Sequence, residues 1–164
     1  MTECNQATFP FEAHFSRRVE ARFDGATMTT DGEALLLRAV DRKIRILKRM
    51  AACFTDGRDA QRVEHALPEL LAQRIYRLAL GYEDLNDHEE LRHDPLLGLL
   101  AGERELEEPL AGKSTLNRLE LTPADELHRY HKITYSAEAL DMLLVRFFVQ
   151  LPTEAGQHLT SRPE

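Results

Sequence analysis

Apolar residues recur every three or four positions along three long stretches of the chain, the spacing expected of one buried helix face. The stretches are residues 32–54, 67–82 and 136–151. Thr30 and Glu33 have the spacing of a capping box at the start of the first stretch. Because a helix with one apolar face must bury that face against another element, the predicted fold class is mainly α, an α+β domain dominated by helices.

The two ends of the chain differ from its helical middle. Residues 19–23 alternate apolar and polar side chains, as a half-buried strand does, and Asp24-Gly25 supplies a hairpin turn with residues 26–28 as the return strand. After Pro152 the sequence becomes polar. We therefore predict a flexible N-terminus (1–18), a helical domain with a small N-terminal β-hairpin (19–151) and a disordered C-terminal tail (152–164).

Composition excludes several classes of protein. A hydrophobic content of 43% and a charged content of 30% are ordinary for a soluble globular domain. No apolar run approaches the roughly 20 residues that a membrane span needs. Cys4 and Cys53 have no CxxC partner, and no signal peptide opens the chain, so we expect no structural disulfide, zinc ribbon or secretion. The expected location is the cytoplasm.

Charge is distributed unevenly along the chain. The net charge is −7. Residues 1–63 carry 11 basic and 9 acidic side chains, whereas residues 64–164 carry 10 basic and 19 acidic ones. Because a local basic patch can bind phosphate on an acidic protein, the total charge does not exclude nucleic acid as a partner.

A stretch rich in histidines and carboxylates, LGYEDLNDHEELRHDP at residues 80–95, invites comparison with a metal site. The zinc motif H-E-x-x-H places two histidines four residues apart on one helix face. His88 and His93 are five residues apart, which turns their side chains roughly 140° from each other on a helix. We therefore predict that this stretch binds no metal.

The same stretch has the features of helix boundaries. Asn86 and Glu89 have the spacing of a capping box. Asp94-Pro95 predicts the end of one short helix and the start of another, since proline fits the first position of a helix.

Four arginines follow one another at helical spacing in the first long stretch. A continuous helix would place all four within an arc of roughly 60°, opposite Leu36, Val40 and Leu47. The arginine fork matches phosphate oxygens, which favours contact with DNA. The alternative is a solvated face whose arginines pair with acids of the C-terminal half, such as those at 103–108. The candidate DNA-binding residues of this stripe are Arg38, Arg42, Arg45 and Arg49.

A second candidate surface is KSTLNRLE, residues 113–120. A short helix that begins at Ser114 would resemble the recognition turn of a helix-turn-helix, and its hydroxyl and amide groups suit contacts to DNA backbone or base edges. The alternative is a capped turn with only a structural role. The candidate DNA-binding residues here are Ser114, Thr115, Asn117 and Arg118.

Three segments in this order and spacing resemble a known family. They are MTTDGEALLLRAVDRK, DGRDAQRVEHALPELLAQRIYRLALGYEDLNDHEELRHDPLLGLLAG and LAGKSTLNRLE. They are similar to the N-terminal region of bacterial insertion-sequence transposases with a group 1 DDE domain. The resemblance runs from about Val19 to the end of the chain, and ALGYEDLNDHEELRHDP is its most specific part.

The resemblance implies DNA transposition by a ribonuclease-H-like domain, in which three carboxylates hold two Mg²⁺ or Mn²⁺ ions. The first family carboxylate lies on a strand like LDLDATDDP, and no residue of this sequence matches it. We therefore expect a truncated transposase without its catalytic triad, inactive on its own and with no catalytic or metal-binding residue or cofactor.

Three functions from different classes follow from this resemblance. The first is a DNA-binding module that recognises transposon terminal inverted repeats. The second is an oligomerisation or inhibitory partner, of itself or of a full-length transposase, that uses the apolar stripe of residues 136–151 and binds no DNA. An enzyme would require catalytic carboxylates from another chain. No membrane partner is expected.

Overall fold

The structure, a computed structural model, describes residues 8–22, 31–102, 108–122 and 131–160, with side chains up to residue 149. Within these ranges, seven α-helices and two small antiparallel sheets confirm the predicted mainly α fold with an N-terminal hairpin. The elements are β1 (Phe9–His14), β2 (Arg17–Ala21), α1 (Ala34–Ile44), α2 (Ile46–Ala51), β3 (Phe54–Asp56), α3 (Leu67–Ala79), α4 (His88–Leu91), α5 (Pro95–Ala101), α6 (Lys113–Glu120), β4 (Ile133–Tyr135) and α7 (Ala137–Thr160).

The N-terminal hairpin lies earlier in the chain than predicted. β1 and β2 pair antiparallel with Phe11 opposite Val19, and the chain turns at Phe15, whose φ is 51°. Val19 packs with Leu35 of α1 and Leu99 of α5, and Phe11 lies against the same cluster. These contacts with distant helices favour β1 as the partner strand. The predicted turn at Asp24-Gly25 and return strand at 26–28 lie outside the described residues, as does Thr30.

The first long helical stretch is two helices rather than one. Arg45 separates α1 from α2 and adopts the left-handed conformation, with φ 55° and ψ 38°. The Asp41 carboxylate accepts a hydrogen bond from the Leu47 backbone N–H at 3.0 Å and so satisfies a donor at the start of α2. A continuous helix is therefore not present. The spacing of apolar residues continues across the break, so it gives no sign of a cap at this point.

The helix α3 joins two of the three apolar clusters of the fold. Ala72 and Tyr76 pack with Leu97 and Leu100 of α5, and Ala34 and Leu47 belong to the same cluster. Leu67, Leu70 and Leu71 pack instead with Leu116 and Leu119 of α6 and with Ile133 of β4. Each fully buried leucine contributes about 1.5–3 kcal/mol through removal of its side chain from water. α3 is therefore the element against which the others are positioned.

A second two-stranded sheet was not predicted from the sequence. β3 pairs antiparallel with β4, with Phe54 opposite Tyr135. The aromatic rings of these two residues are 5.8 Å apart between centroids. Ile133-Thr134-Tyr135 is a β-branched and aromatic run, a strand signal that the longer helical patterns on either side concealed.

The last helix buries only part of its apolar stripe. Leu143 and Phe147 are buried, whereas Leu144 and Phe148 are exposed. The helix extends to Thr160, beyond Pro152, where the sequence predicts its end. A proline inside a helix removes one hydrogen bond and bends the chain without necessarily ending the helix. Among the described residues, every helix is too short or too polar to cross a lipid bilayer.

Candidate nucleic-acid interface

The helix α6 buries its apolar side and presents its polar side to solvent. Leu116 and Leu119 are buried in the cluster beneath α3. Ser114, Asn117 and Arg118 are exposed, and Thr115 is half-buried. Residues separated by three and four positions share a helix face, so the three exposed side chains form one polar surface. We call Ser114, Asn117 and Arg118 the α6 face. The helix begins at Lys113, one residue before the predicted start.

The N-terminus of α6 rests on the stretch at residues 80–95. The Glu89 carboxylate accepts a hydrogen bond from the Lys113 backbone N–H at 3.0 Å, and Lys113 Nζ donates to Asn86 Oδ1 at 3.3 Å. A carboxylate is favourable at this end because the helix dipole is positive there. Gly112 permits the approach: a Cβ at this position would lie 3.0 Å from Arg92 Nη1 and 3.4 Å from Glu89 Oε1.

The C-terminus of α6 is held by Arg74 of α3. Arg74 forms an ion pair through Nε with Glu120, the last residue of α6. The same guanidinium donates from Nη1 to the Tyr82 carbonyl at 3.2 Å and from Nη2 to the Glu83 carbonyl at 2.9 Å. Gln73 Nε2 donates to the Ala111 carbonyl at 2.8 Å and fixes the segment that precedes α6. One turn of α3 therefore connects both ends of α6 to the body of the protein.

The stretch at residues 80–95 leaves α3 through a glycine turn. Gly81 has φ +92°, the Gly81 N–H donates to the Leu78 carbonyl, and the Tyr82 N–H donates to the Arg77 carbonyl. These two bonds form a Schellman motif, which favours glycine because L side chains rarely adopt this φ. The Tyr82 hydroxyl then donates to the Asp31 carboxylate at 3.1 Å, which ties the stretch to the start of α1.

The helix boundaries of this stretch were predicted in part. Asp94 caps α5 by accepting from the Leu96 N–H at 2.8 Å, with Pro95 at the first position, as predicted. The predicted cap at Asn86 was wrong. Asp84 caps a 3-10 turn, Leu85–Asp87, that runs into α4, and its carboxylate accepts from the Asn86 N–H at 2.8 Å. Glu89 is therefore free of a local cap and reaches α6 instead.

The two histidines of the stretch lie in different environments. His88 is fully buried, whereas His93 is exposed. Arg74 Nη1 lies 3.3 Å from His88 Nε2. A guanidinium can only donate, so His88 Nε2 accepts and the ring proton is on Nδ1. Burial, followed by the nearby charges of Arg77 and Arg74, lowers the pKa of His88 to about 4.

Arg77 is the largest fully buried side chain in the described part of the protein. Its burial lowers the pKa of its guanidinium to about 10, and the negative charge of Asp94 opposes that shift. The side chain remains charged at neutral pH. A positive charge on His88 as well would add to the two arginine charges in the same enclosed region, so the fold favours the neutral form of His88.

Two of the four candidate arginines bind β1. Arg38 is buried and donates to the Glu12 carbonyl at 3.2 Å, with its second terminal nitrogen 3.3 Å from His14 Nδ1. Arg42 forms an ion pair with the Glu12 carboxylate and donates to the Ala13 carbonyl at 3.4 Å. The ion pair lowers the pKa of Glu12. These arginines fasten the hairpin to α1.

The other two arginines occupy different surroundings. Arg45 is exposed at the break between α1 and α2. The Arg49 guanidinium carbon lies 4.4 Å from the centroid of the Phe147 ring, a cation–π contact between α2 and α7. The four arginines therefore do not form one solvent-facing stripe. The apolar residues predicted on the opposite side of this helix are also not all in the core. Leu36 and Val40 are exposed, whereas Arg38 is buried.

The DDE resemblance implies two divalent metal ions, which a group of carboxylates would have to hold. No three or more His, Cys, Asp or Glu side chains in the described ranges are grouped as metal ligands. These residues do not fit a two-metal centre, and we assign none of them a catalytic step.

Gln73, Arg74 and Arg77 were not among the residues predicted from the sequence. All three lie on α3, about one helical turn apart at most. Gln73 and Arg74 hold the Ala111 and Glu83 carbonyls of other segments. A usable signal was present: polar residues 73 and 77 interrupt the apolar face of a strongly amphipathic helix. Such interruptions favour buried partners over solvent.

Acid should destabilise the protein through His88. Its pKa is about 4 in the fold and about 6.5 in an unfolded chain, so the unfolded state binds more protons between these values. The free energy of unfolding should therefore fall as pH decreases from 6.5 to 4.5, by about 2–3 kcal/mol. Urea unfolding at several pH values measures the loss.

The variant H88Q should show a smaller loss over the same pH range because it lacks the ionisable ring. The matched control is H93Q, which removes an exposed histidine of the same stretch and should behave like the unmodified protein. Equal losses in the unmodified protein and H88Q would contradict the assignment.

The comparisons with known proteins agree with the sequence resemblance. The family model described as Transposase DDE domain group 1 matches residues 11–155. No curated protein and no solved structure matches the chain. The matched residues include all but the first two residues of the hairpin, and they include α3, the stretch at residues 80–95 and α6. The chain therefore belongs to the family of transposases with a group 1 DDE domain.

Proposed function

We propose that this chain provides the DNA-end-binding and assembly part of a DDE transposase and that it does not itself cut or join DNA. Its DNA partner would be the terminal inverted repeats of an insertion sequence, in the cytoplasm, where bacterial DNA is located. The observation that carries the proposal is the α6 face, a polar helical surface on a helix fixed at both ends.

The chemistry of the α6 face suits base recognition. Asparagine can pair with adenine through two hydrogen bonds, and arginine can do so with guanine. Ser114 adds a hydroxyl at the first turn that can donate to a phosphate oxygen. Asn117 and Arg118 are exposed, so a duplex could reach them without unfolding the helix. A helix fixed against rotation is needed for such contacts, since misplaced donors lose their base partners.

Replacing Asn117 and Arg118 together with alanine should reduce preference for the terminal repeat. Each good bidentate base contact contributes about 1–3 kcal/mol of discrimination, so the ratio of dissociation constants for scrambled and terminal-repeat duplexes should fall by about tenfold or more. Fluorescence anisotropy with both labelled duplexes at several salt concentrations measures this ratio.

The matched control is Arg146→Ala, which removes an arginine of α7 that is also exposed. It should weaken binding to both duplexes slightly and leave their ratio unchanged, because it changes only the overall charge. Absence of DNA binding by the unmodified protein at low salt would refute the proposal, as would an unchanged ratio in the double variant.

A second candidate function is an oligomerisation or inhibitory partner, and the surface of α7 favours it. Phe148 is 84% exposed, Val145 56% and Met142 47%. These residues are three and six positions apart and form an apolar strip beside the buried Leu143 and Phe147. Contiguous exposed apolar surface on a soluble protein is characteristic of an interface. The occupant we favour is α7 of a second copy or of a full-length transposase.

If α7 mediates self-association, Phe148→Glu should shift the protein toward the monomer. Phe148 is the suitable position because Phe147 is buried against Arg49, and a charge there would disrupt the fold. Sedimentation velocity across a concentration series measures the shift. Leu36→Glu on α1 is the control, since Leu36 is also exposed. A protein that is monomeric at every concentration would rule out this interface between copies.

A further inference from the structure

A cleft of about 240 Å³ lies between the hairpin and α1. Its apolar part consists of Phe11, Leu35 and Ala39, and its polar part of Glu12, Arg38, Arg42 and Lys43. Three cationic side chains therefore surround the cleft, together with one carboxylate. Because three positive charges face a single negative charge, the cleft has a surplus of positive charge and suits an anion.

The two arginines of the cleft are positioned before any ligand arrives. Arg38 is only 6% exposed, and its contacts to the Glu12 carbonyl and to His14 hold its guanidinium in place. Arg42 is anchored by the Ala13 carbonyl. A guanidinium fixed in this way loses little conformational freedom when it binds an oxygen anion.

The Glu12 carboxylate occupies the position that an anion would take. It pairs with Arg42, and its side chain is 69% exposed while that of Arg42 is 32% exposed. An ion pair so open to water is weak, because solvent screens the charges and the long side chains lose freedom. A phosphate offers more negative oxygens to arginine and makes stronger, bidentate bonds. Glu12 can therefore be displaced without disturbing the backbone contacts of β1.

We propose that the cleft between β1 and α1 is a binding site for a DNA phosphate, and that Glu12 occupies it until DNA displaces the carboxylate. The phosphate binds Arg42 and Lys43, with the adjoining sugar against Phe11 and Leu35. The inference rests on the proposed function because it names a second, sequence-independent DNA contact beside the α6 face. Phosphate contacts position a duplex, whereas base contacts select its sequence.

The variant Glu12→Gln tests the proposal through a gain of affinity. Removing the competing carboxylate should lower the dissociation constant about threefold to tenfold, and by the same factor for terminal-repeat and scrambled duplexes. Glu20→Gln is the matched control. Glu20 is on the same hairpin and pairs with Arg18 and Arg22, but it does not line the cleft. It removes the same charge and should give a much smaller gain.

A double-mutant cycle with Arg42→Gln tests whether the gain depends on the cleft. The gain from Glu12→Gln should disappear when Arg42 is glutamine, because the phosphate then has no guanidinium to bind. A gain that persists without Arg42, or one no larger than that of Glu20→Gln, would overturn the proposal. Thermal unfolding verifies that each variant is folded. Because the Glu12 side chain is mostly exposed, we expect Glu12→Gln to fold normally.

Inorganic phosphate separates this inference from the proposed function. Phosphate should raise the Tm of Glu12→Gln more than chloride at equal ionic strength, and it should have no such effect when Arg42 is also replaced. If phosphate stabilises Glu12→Gln but the protein binds no DNA, the proposed function is wrong and the cleft is a site for a small phosphate. DNA binding that Glu12→Gln does not strengthen would overturn the cleft and leave the α6 face as the contact.

Discussion

The proposed interface depends on the contacts that the guanidinium of Arg74 makes. It is on α3, the helix that joins two apolar clusters, and it contacts the Tyr82 and Glu83 carbonyls, His88 and Glu120. A neutral side chain could not satisfy carbonyl, imidazole and carboxylate acceptors at once, whereas arginine has five donors in a planar fork. This one group therefore sets where the stretch at residues 80–95 lies and where α6 ends.

The stretch that looks most like a metal site has a mechanical role in the described structure. Asp84 and Asp94 cap helices, Glu89 meets the N-terminus of α6, and His88 fills the space beside Arg74 and Arg77. Each of these three acids thus accepts from a backbone donor at the start of a helix or turn.

Sequence patterns predicted the helices and helix boundaries that depend on contacts between neighbouring residues. The amphipathic spacing gave α3, and Asp94-Pro95 gave the start of α5, because each depends on neighbours within a turn. The KSTLNRLE helix was also predicted, and three of its four candidate side chains, those of Ser114, Asn117 and Arg118, are exposed. Whether they contact DNA stays a prediction.

Long-range contacts produced most of the differences. The hairpin register depends on contacts with Leu35 and Leu99, and the second sheet depends on pairing between segments far apart in sequence. The break at Arg45 instead accompanies a local cap between Asp41 and Leu47, which apolar periodicity does not reveal. Arginines at perfect helical spacing were expected to face one solvent surface, but Arg38 and Arg42 are used to hold β1. Spacing along a helix determines which side chains share a face. It does not determine which face is covered.

We propose that Arg74 holds the α6 face in the orientation that DNA recognition would need. The most direct test is the ratio of dissociation constants for scrambled and terminal-repeat duplexes in the variant Arg74→Gln, compared with Arg58→Gln, which breaks the ion pair with Asp56 elsewhere. We predict that folded Arg74→Gln loses most of the preference for the terminal repeat, while Arg58→Gln retains it. A folded Arg74→Gln variant with the preference of the unmodified protein would contradict the claim.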